Sequence, residues 1–149
     1  MDGNGLSFGE RNFAHAILGD KRRTNKLVEL ADRMAHRPGG SLPEKFNSPK
    51  DLKAMYRLFD CDRVTHQTIL AAHQQYLFKT LLPSRDGFTL VIHDGTELEY
   101  TKRRSLIEDL GQIGNGFRRG YIAHNSLVVR PKTGATLGLP TKCFIVDRK

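Results

Sequence analysis

The chain is 149 residues long, enough for one compact domain or for a small domain with part of another. Its 24 Lys and Arg against 16 Asp and Glu give a net charge of +8 and a pI near 9.8, a balance that favours a polyanionic partner. The apolar runs fall far short of the roughly 20 residues that a bilayer span needs, and the polar start Met1-Asp-Gly-Asn-Gly lacks a secretory pattern, so membrane and export classes are set aside.

Residues 8–82 read as helical. Phe8, Phe13, Ala14 and Ile17 predict a short first helix that Gly19 ends. Asp20 is placed to cap a second, in which Leu27, Leu30, Ala31 and Met34 recur at helical spacing until Pro38-Gly39-Gly40 stops it. Ser48-Pro49 predicts a third start, a capping hydroxyl followed by proline at the first helical position. Leu52, Met55, Tyr56 and Phe59 are its expected buried stripe. Thr65 caps a fourth helix carrying Ile69, Ala72, Tyr76 and Leu77, closed by Pro83.

After 83–87 the period changes to that of strands. Residues 88–93 predict a central strand, 97–101 a short extension, and 121–130 with 136–146 a hairpin across Pro131-Lys-Thr-Gly134. Between them, 102–117 reads as a polar loop or short helix running into a glycine-rich segment. The expected class is α+β: a helical module over 1–82, then the first antiparallel strands of an incomplete sheet over 83–149. The charge is shared, with 13 basic and 9 acidic residues in 1–82 and 11 and 7 in 83–149. Cys61 and Cys143 stand apart without a CxxC partner, which points to reduced thiols and a cytoplasmic setting.

Two places can carry chemistry. The second helix presents Lys21, Arg22, Arg23 and Lys26, then Arg33, His36 and Arg37, around its apolar stripe. Such a face either neutralises phosphates or is simply solvated. Arg57 is open to two readings, a phosphate contact or a surface pair with Asp51 or Asp60. Asp94 follows the apolar run of the first strand. It reads either as a metal ligand delivered to the mouth of a sheet or as a turn-forming Asp-Gly at a strand end. Glu97 and Glu99 lie within reach of it, while His93 alternates to the opposite face and is expected to pack in the core.

The strings Leu18-Gly-Asp-Lys-Arg-Arg-Thr24, Ala54-Met-Tyr-Arg-Leu-Phe59, Leu90-Val-Ile-His-Asp-Gly-Thr-Glu97 and Leu110-Gly111-Gln-Ile-Gly114, in this order and spacing, resemble the DDE cut-and-paste transposases of bacterial insertion sequences. The nearest kind is the insertion-sequence-four group, which includes Tn-five-type transposases, and the likeness covers almost the whole chain. The resemblance implies a helical module that binds the terminal inverted repeats of a transposon, followed by an RNase H-like catalytic core. It places Lys26, His36, Arg37 and Arg57 on double-stranded end DNA, although His36 and Arg37 depart from the residue types expected there. It makes Asp94 the first of three catalytic carboxylates that bind Mg²⁺ or Mn²⁺, with the usual Asp-Thr-Thr altered to Asp94-Gly95-Thr96. In that chemistry two metal ions roughly 3.5–4 Å apart activate the attacking oxygen and stabilise the leaving one. The second and third carboxylates are expected beyond Lys149, because Asp147-Arg148 comes too early to be the second. The expectation is therefore a truncated or partial transposase chain, inactive alone, whose parent works as a homodimer on nucleoid DNA. The alternative is a stand-alone DNA-binding protein or transposition inhibitor.

Overall fold

Helices precede an antiparallel sheet in a computed structural model that describes residues 5–46, 48–82, 88–103, 105 and 108–145. This is an α+β arrangement. The chain divides into two compact units, Met1–Tyr76 and Leu77–Lys149, so the division comes before the expected join at 82/83. Pro83, Val146, Asp147 and Arg148, which carried expectations about element ends and the imitation second carboxylate, lie outside the described residues.

The first unit is built from four helices with local start signals. Helix α1 (Phe8–Phe13) opens on a capping box: Glu10 N donates to Ser7 Oγ at 3.1 Å, and Ser7 N donates to Glu10 Oε2 at 2.7 Å. Asp20 caps α2 (Lys21–His36), and Ser48 caps α3 (Pro49–Phe59) with Pro49 in its first turn. At α4 (His66–Tyr76) Thr65 and Thr68 cap reciprocally: Thr68 N donates to Thr65 Oγ1 at 3.2 Å, and Thr65 N donates to Thr68 Oγ1 at 2.9 Å. Each cap satisfies backbone donors that the first turn leaves unpaired.

Packing departs from the periodic expectation at several residues. The buried face of α1 is Gly9 and Asn12, while Ile17 is 87% exposed and Phe8 lies largely outside. The reason is close approach. A Cβ on Gly9 would overlap the Val28 carbonyl oxygen of α2, and Gly9 N donates to Asp32 Oδ1 at 2.7 Å. Asn12 Nδ2 donates to Phe8 O at 2.8 Å, so its amide oxygen accepts from His73 Nδ1 of α4 at 2.7 Å. One core cluster joins Ala16, Leu18, Leu27, Leu58, Val64 and Ala72, and another joins Leu30, Phe46 and Met55. Met34, Tyr56 and Phe59, expected inside, are exposed. On α3 the inward stripe is Met55 and Leu58, with Leu52 half-buried against Phe46's cluster.

In the second unit, β3 (Arg119–Val129) is the middle strand. Strand β1 (Leu90–Glu99) pairs along one side of it in an unbroken antiparallel register from Leu90↔Val129 to Glu99↔Gly120. On the other side lie β2 (Gly111–Gln112), near the start of β3, and β4 (Thr136–Ile145) along the rest. The hairpin turn closes where Arg130 N donates to Ala135 O at 2.9 Å, with Gly134 at φ +67°. Two expectations are corrected here. The strand holding Asp94 is at an edge of the described sheet, not its centre. It also runs straight through Asp94-Gly95 instead of ending there, because ten consecutive pairings to β3 outweigh the turn preference of Asp-Gly.

Two outcomes are expected. Gly9→Ala should lower the unfolding free energy by about 1–3 kcal/mol, read from urea denaturation, because α1 must move off α2 to admit the methyl group. Burial holds His73 below its ordinary value of 6.5. The unfolded chain therefore takes up that proton first as the pH falls, and stability declines below 6.5 while remaining level above it. Melting temperatures measured from about pH 7.5 to about pH 5 should show this slope, and His73→Gln should flatten it.

Candidate nucleic-acid interface

Helix α2 organises the cations of the first unit. Its first turn contains Lys21, Arg22 and Arg23 and no acidic residue. Positive side chains at a helix N-terminus oppose the helix dipole. Asp20 offsets part of that: its carboxylate accepts from Arg22 N at 2.8 Å and from Arg22 Nη2 at 2.8 Å. The Arg22 side-chain and backbone hydrogen bonds lower Asp20 from 3.8 to about 2, so the cap stays charged at any ordinary pH. Arg22 itself is 90% exposed. A first turn so crowded with cations is unfavourable for the helix alone and favourable once a phosphate group sits against it.

Helical spacing puts Arg22, Lys26, Arg33 and His36 on one stripe of α2, with Glu29 in its middle. The stripe is divided between two open grooves. One, of about 590 Å³, is lined by Asp20, Arg22, Arg23, Lys26, Ala54, Arg57 and Leu58. The other, of about 350 Å³, is lined by Glu29, Asp32, Arg33, His36, Arg37 and Lys45. The structure thus brings Lys26 together with Arg57 at one end of α2, and His36 together with Arg37 at the other.

These four residues differ in how committed they are. Lys26, only 23% exposed, pairs with Glu29 Oε2 at 2.8 Å and lies 4.0 Å from Asp51 Oδ1. Arg33 meets the same two carboxylates at 2.8 and 3.3 Å and lies over the Phe46 ring at 5.4 Å. This network holds α2 to α3 and spends much of their charge internally. His36 Nδ1 donates to Asp32 O at 2.7 Å, which leaves Nε2 as its other polar ring atom. Arg37 Nη1 donates to Glu44 O at 3.3 Å. Arg57 is exposed and, among the described residues, makes no ion pair, so neither Asp51 nor Asp60 neutralises it.

Periodicity could not reveal two further cations. Lys45 is buried, and its ammonium donates to Arg37 O and to Gly39 O at the C-terminal end of α2. There it complements the helix dipole instead of reaching solvent. Arg63, in the α3–α4 connection, lies beside Gly19 and Arg23. Neither falls on a helical stripe, so spacing offered no cue.

Asp94 has different surroundings. It is exposed on β1, opposite Asn125, and Asn125 in turn pairs with Lys142 of β4. Alternation puts Glu97 and Glu99 on the other face of β1, where both pair with Arg118, at 3.3 Å and 3.0 Å. They do not converge on Asp94. His93 is exposed as well: it is hydrogen-bonded to Ser126 Oγ at 2.7 Å and stacked on His124 at 5.8 Å. Among the described residues no group of three His, Cys, Asp or Glu could hold a metal ion. The described residues offer one carboxylate with an amide opposite it, one member of the ligand set that a two-metal centre needs, so no metal-dependent step follows from them alone.

The deciding comparison concerns the helical unit. Residues 6–64 match a family model described as transposase DNA-binding. The match begins just before α1 and runs through α2 and α3, so it takes in the first groove and Lys26, His36, Arg37 and Arg57. It supports a role in transposition with DNA as the partner. No described helix is long and apolar enough to cross a membrane.

Asp51 serves both Lys26 and Arg33 and also sits in the first turn of α3. Asp51→Asn should therefore cost about 1 kcal/mol of stability, since the pairs are partly exposed. A urea titration checks this.

Proposed function

We propose that the helical unit binds the terminal inverted repeats of a transposable element as duplex DNA, and that the chain is related to the DDE transposases of the insertion-sequence-four group. The observation that carries this is the basic groove of Arg22, Arg23, Lys26 and Arg57 lying inside the segment that matches the transposase DNA-binding family. The two ends of the α2 stripe are on the order of 20 Å apart at 1.5 Å per residue. Being longer than the roughly 12 Å width of a major groove, the stripe reaches past both edges of the groove to the phosphates of the bordering backbones. Arg57 is the principal phosphate contact of the first groove, because it is not compensated within the protein. Lys26 contributes once a phosphate competes with Glu29.

In this reading Asp94 is the first carboxylate of a catalytic centre using Mg²⁺ or Mn²⁺, in a sheet that begins an RNase H-like core. Two observations support it: the strands pair antiparallel, β1 and β4 on either side of β3, and Asp94 lies in the middle of β1. The working assembly is a homodimer on bacterial nucleoid DNA. A second reading has a specific observation in its favour. Glu97 and Glu99 pair with Arg118 on the face away from Asp94, so β1 gives Asp94 no neighbouring carboxylate, which favours a stand-alone end-binding protein or transposition inhibitor that occupies ends without cutting them.

Labelled duplexes made from the DNA flanking the coding sequence should be retained in the presence of excess random duplex, with affinity falling steeply as salt rises. Arg57→Ala should weaken that binding without lowering the melting temperature. Binding that random DNA removes completely would exclude end recognition. With Mg²⁺ or Mn²⁺ the chain alone should not nick supercoiled DNA. Nicking abolished by Asp94→Ala would refute the inactive reading and require carboxylates beyond those that the described residues bring to that face.

A further inference from the structure

Resting on the DNA-binding reading, the geometry points to a second phosphate site over Gly19, a clamp in which Arg23 and Arg63 grip one backbone phosphate. Gly19 has φ +76°, a left-handed conformation that spares the turn between α1 and α2 a side chain. The space a Cβ would fill is taken instead by arginines: Arg63 Cδ lies 2.6 Å, Arg63 Nε 3.3 Å and Arg23 Nη1 3.3 Å from that position. Two guanidinium groups from separate parts of the chain therefore converge on one backbone turn.

Among the described residues neither guanidinium makes an ion pair, although the Asp20 carboxylate acts on Arg23 through space. Arg23 Nη1 donates to the Leu18 carbonyl at 2.9 Å, which anchors the group and leaves its other N–H donors unused. Arg63 is exposed and makes no hydrogen bond or ion pair through its side chain among the described residues. Asp20, the carboxylate of this turn, is engaged by Arg22 at 2.8 Å. Two adjacent like charges repel each other unless an anion lies between them, and paired guanidinium forks match the oxygens of a phosphodiester. Arg23 also lines the groove that holds Lys26 and Arg57, so the clamp extends that groove along the DNA backbone.

The test uses the full chain and a labelled random-sequence duplex, with affinity followed by anisotropy from about 50 to about 200 mM salt. If Arg23 and Arg63 share one phosphate, Arg63→Ala and Arg23→Ala each weaken binding, and the double variant weakens it by less than the product of the two. The slope of log affinity against log salt then falls by about 0.9 in the double variant. Arg63→Lys should recover part of the affinity, and the melting temperature of Arg63→Ala should match that of the parent. An unchanged slope in the double variant overturns the clamp while leaving the Arg57 groove intact. A loss of about 1.8 with independent effects overturns the shared phosphate in favour of two separate contacts. A parent chain that binds no duplex overturns the clamp and the DNA reading together.

Discussion

Helical spacing sets Lys26 and Arg33 on either side of Glu29, the packing of α3 adds Asp51 to the same pair, and this sharing governs how the rest of the basic surface can be used. Cations inside the network hold the two helices in register. Outside it, Arg57 on α3 and Arg63 in the α3–α4 connection make no ion pair among the described residues, Arg23 is anchored on the Leu18 carbonyl, and Arg22 is shared with its own cap, Asp20. A net charge of +8 thus resolves into a structural fraction and a fraction available to a polyanion. Exposed ion pairs are worth little to stability one by one. Here their arrangement matters more than their energy, because it decides which positive groups DNA can claim without first displacing a carboxylate.

Helix starts were the most legible feature of the sequence. Asp20, Ser48-Pro49 and Thr65 all cap where local chemistry predicts, since a cap depends on a few neighbouring backbone donors and not on distant packing. Buried faces were less legible. Met34, Tyr56 and Phe59 satisfy the helical period and still lie outside, whereas Gly9 and Asn12 break the apolar pattern and lie inside. Those two are buried for reasons that hydrophobicity does not encode: one lets two backbones approach, and the other has its amide hydrogen bonds met by Phe8 and His73.

The candidate site shows the same division. Lys26, His36, Arg37 and Arg57 could be singled out by resemblance, and the structure groups them in pairs at the two ends of one helix. Arg63 could not be found this way, because its nearness to Arg23 depends on how the α3–α4 connection folds back over Gly19. At Asp94 the local signal misled. Asp-Gly favours a turn, but the long register with β3 keeps the chain extended, and strand alternation then separates Asp94 from the two glutamates that follow it.

Strand β1 has a practical consequence of its own. Phe88, Leu90, Val91 and Ile92 are all about half exposed or more, so apolar side chains project from both faces of a strand that has one side unpaired among the described strands. Such an edge is a template onto which another extended chain can add. At high protein concentration, self-association through this edge would lower solubility, and added salt would make it worse by screening the repulsion between the +8 chains that otherwise keeps their edges apart.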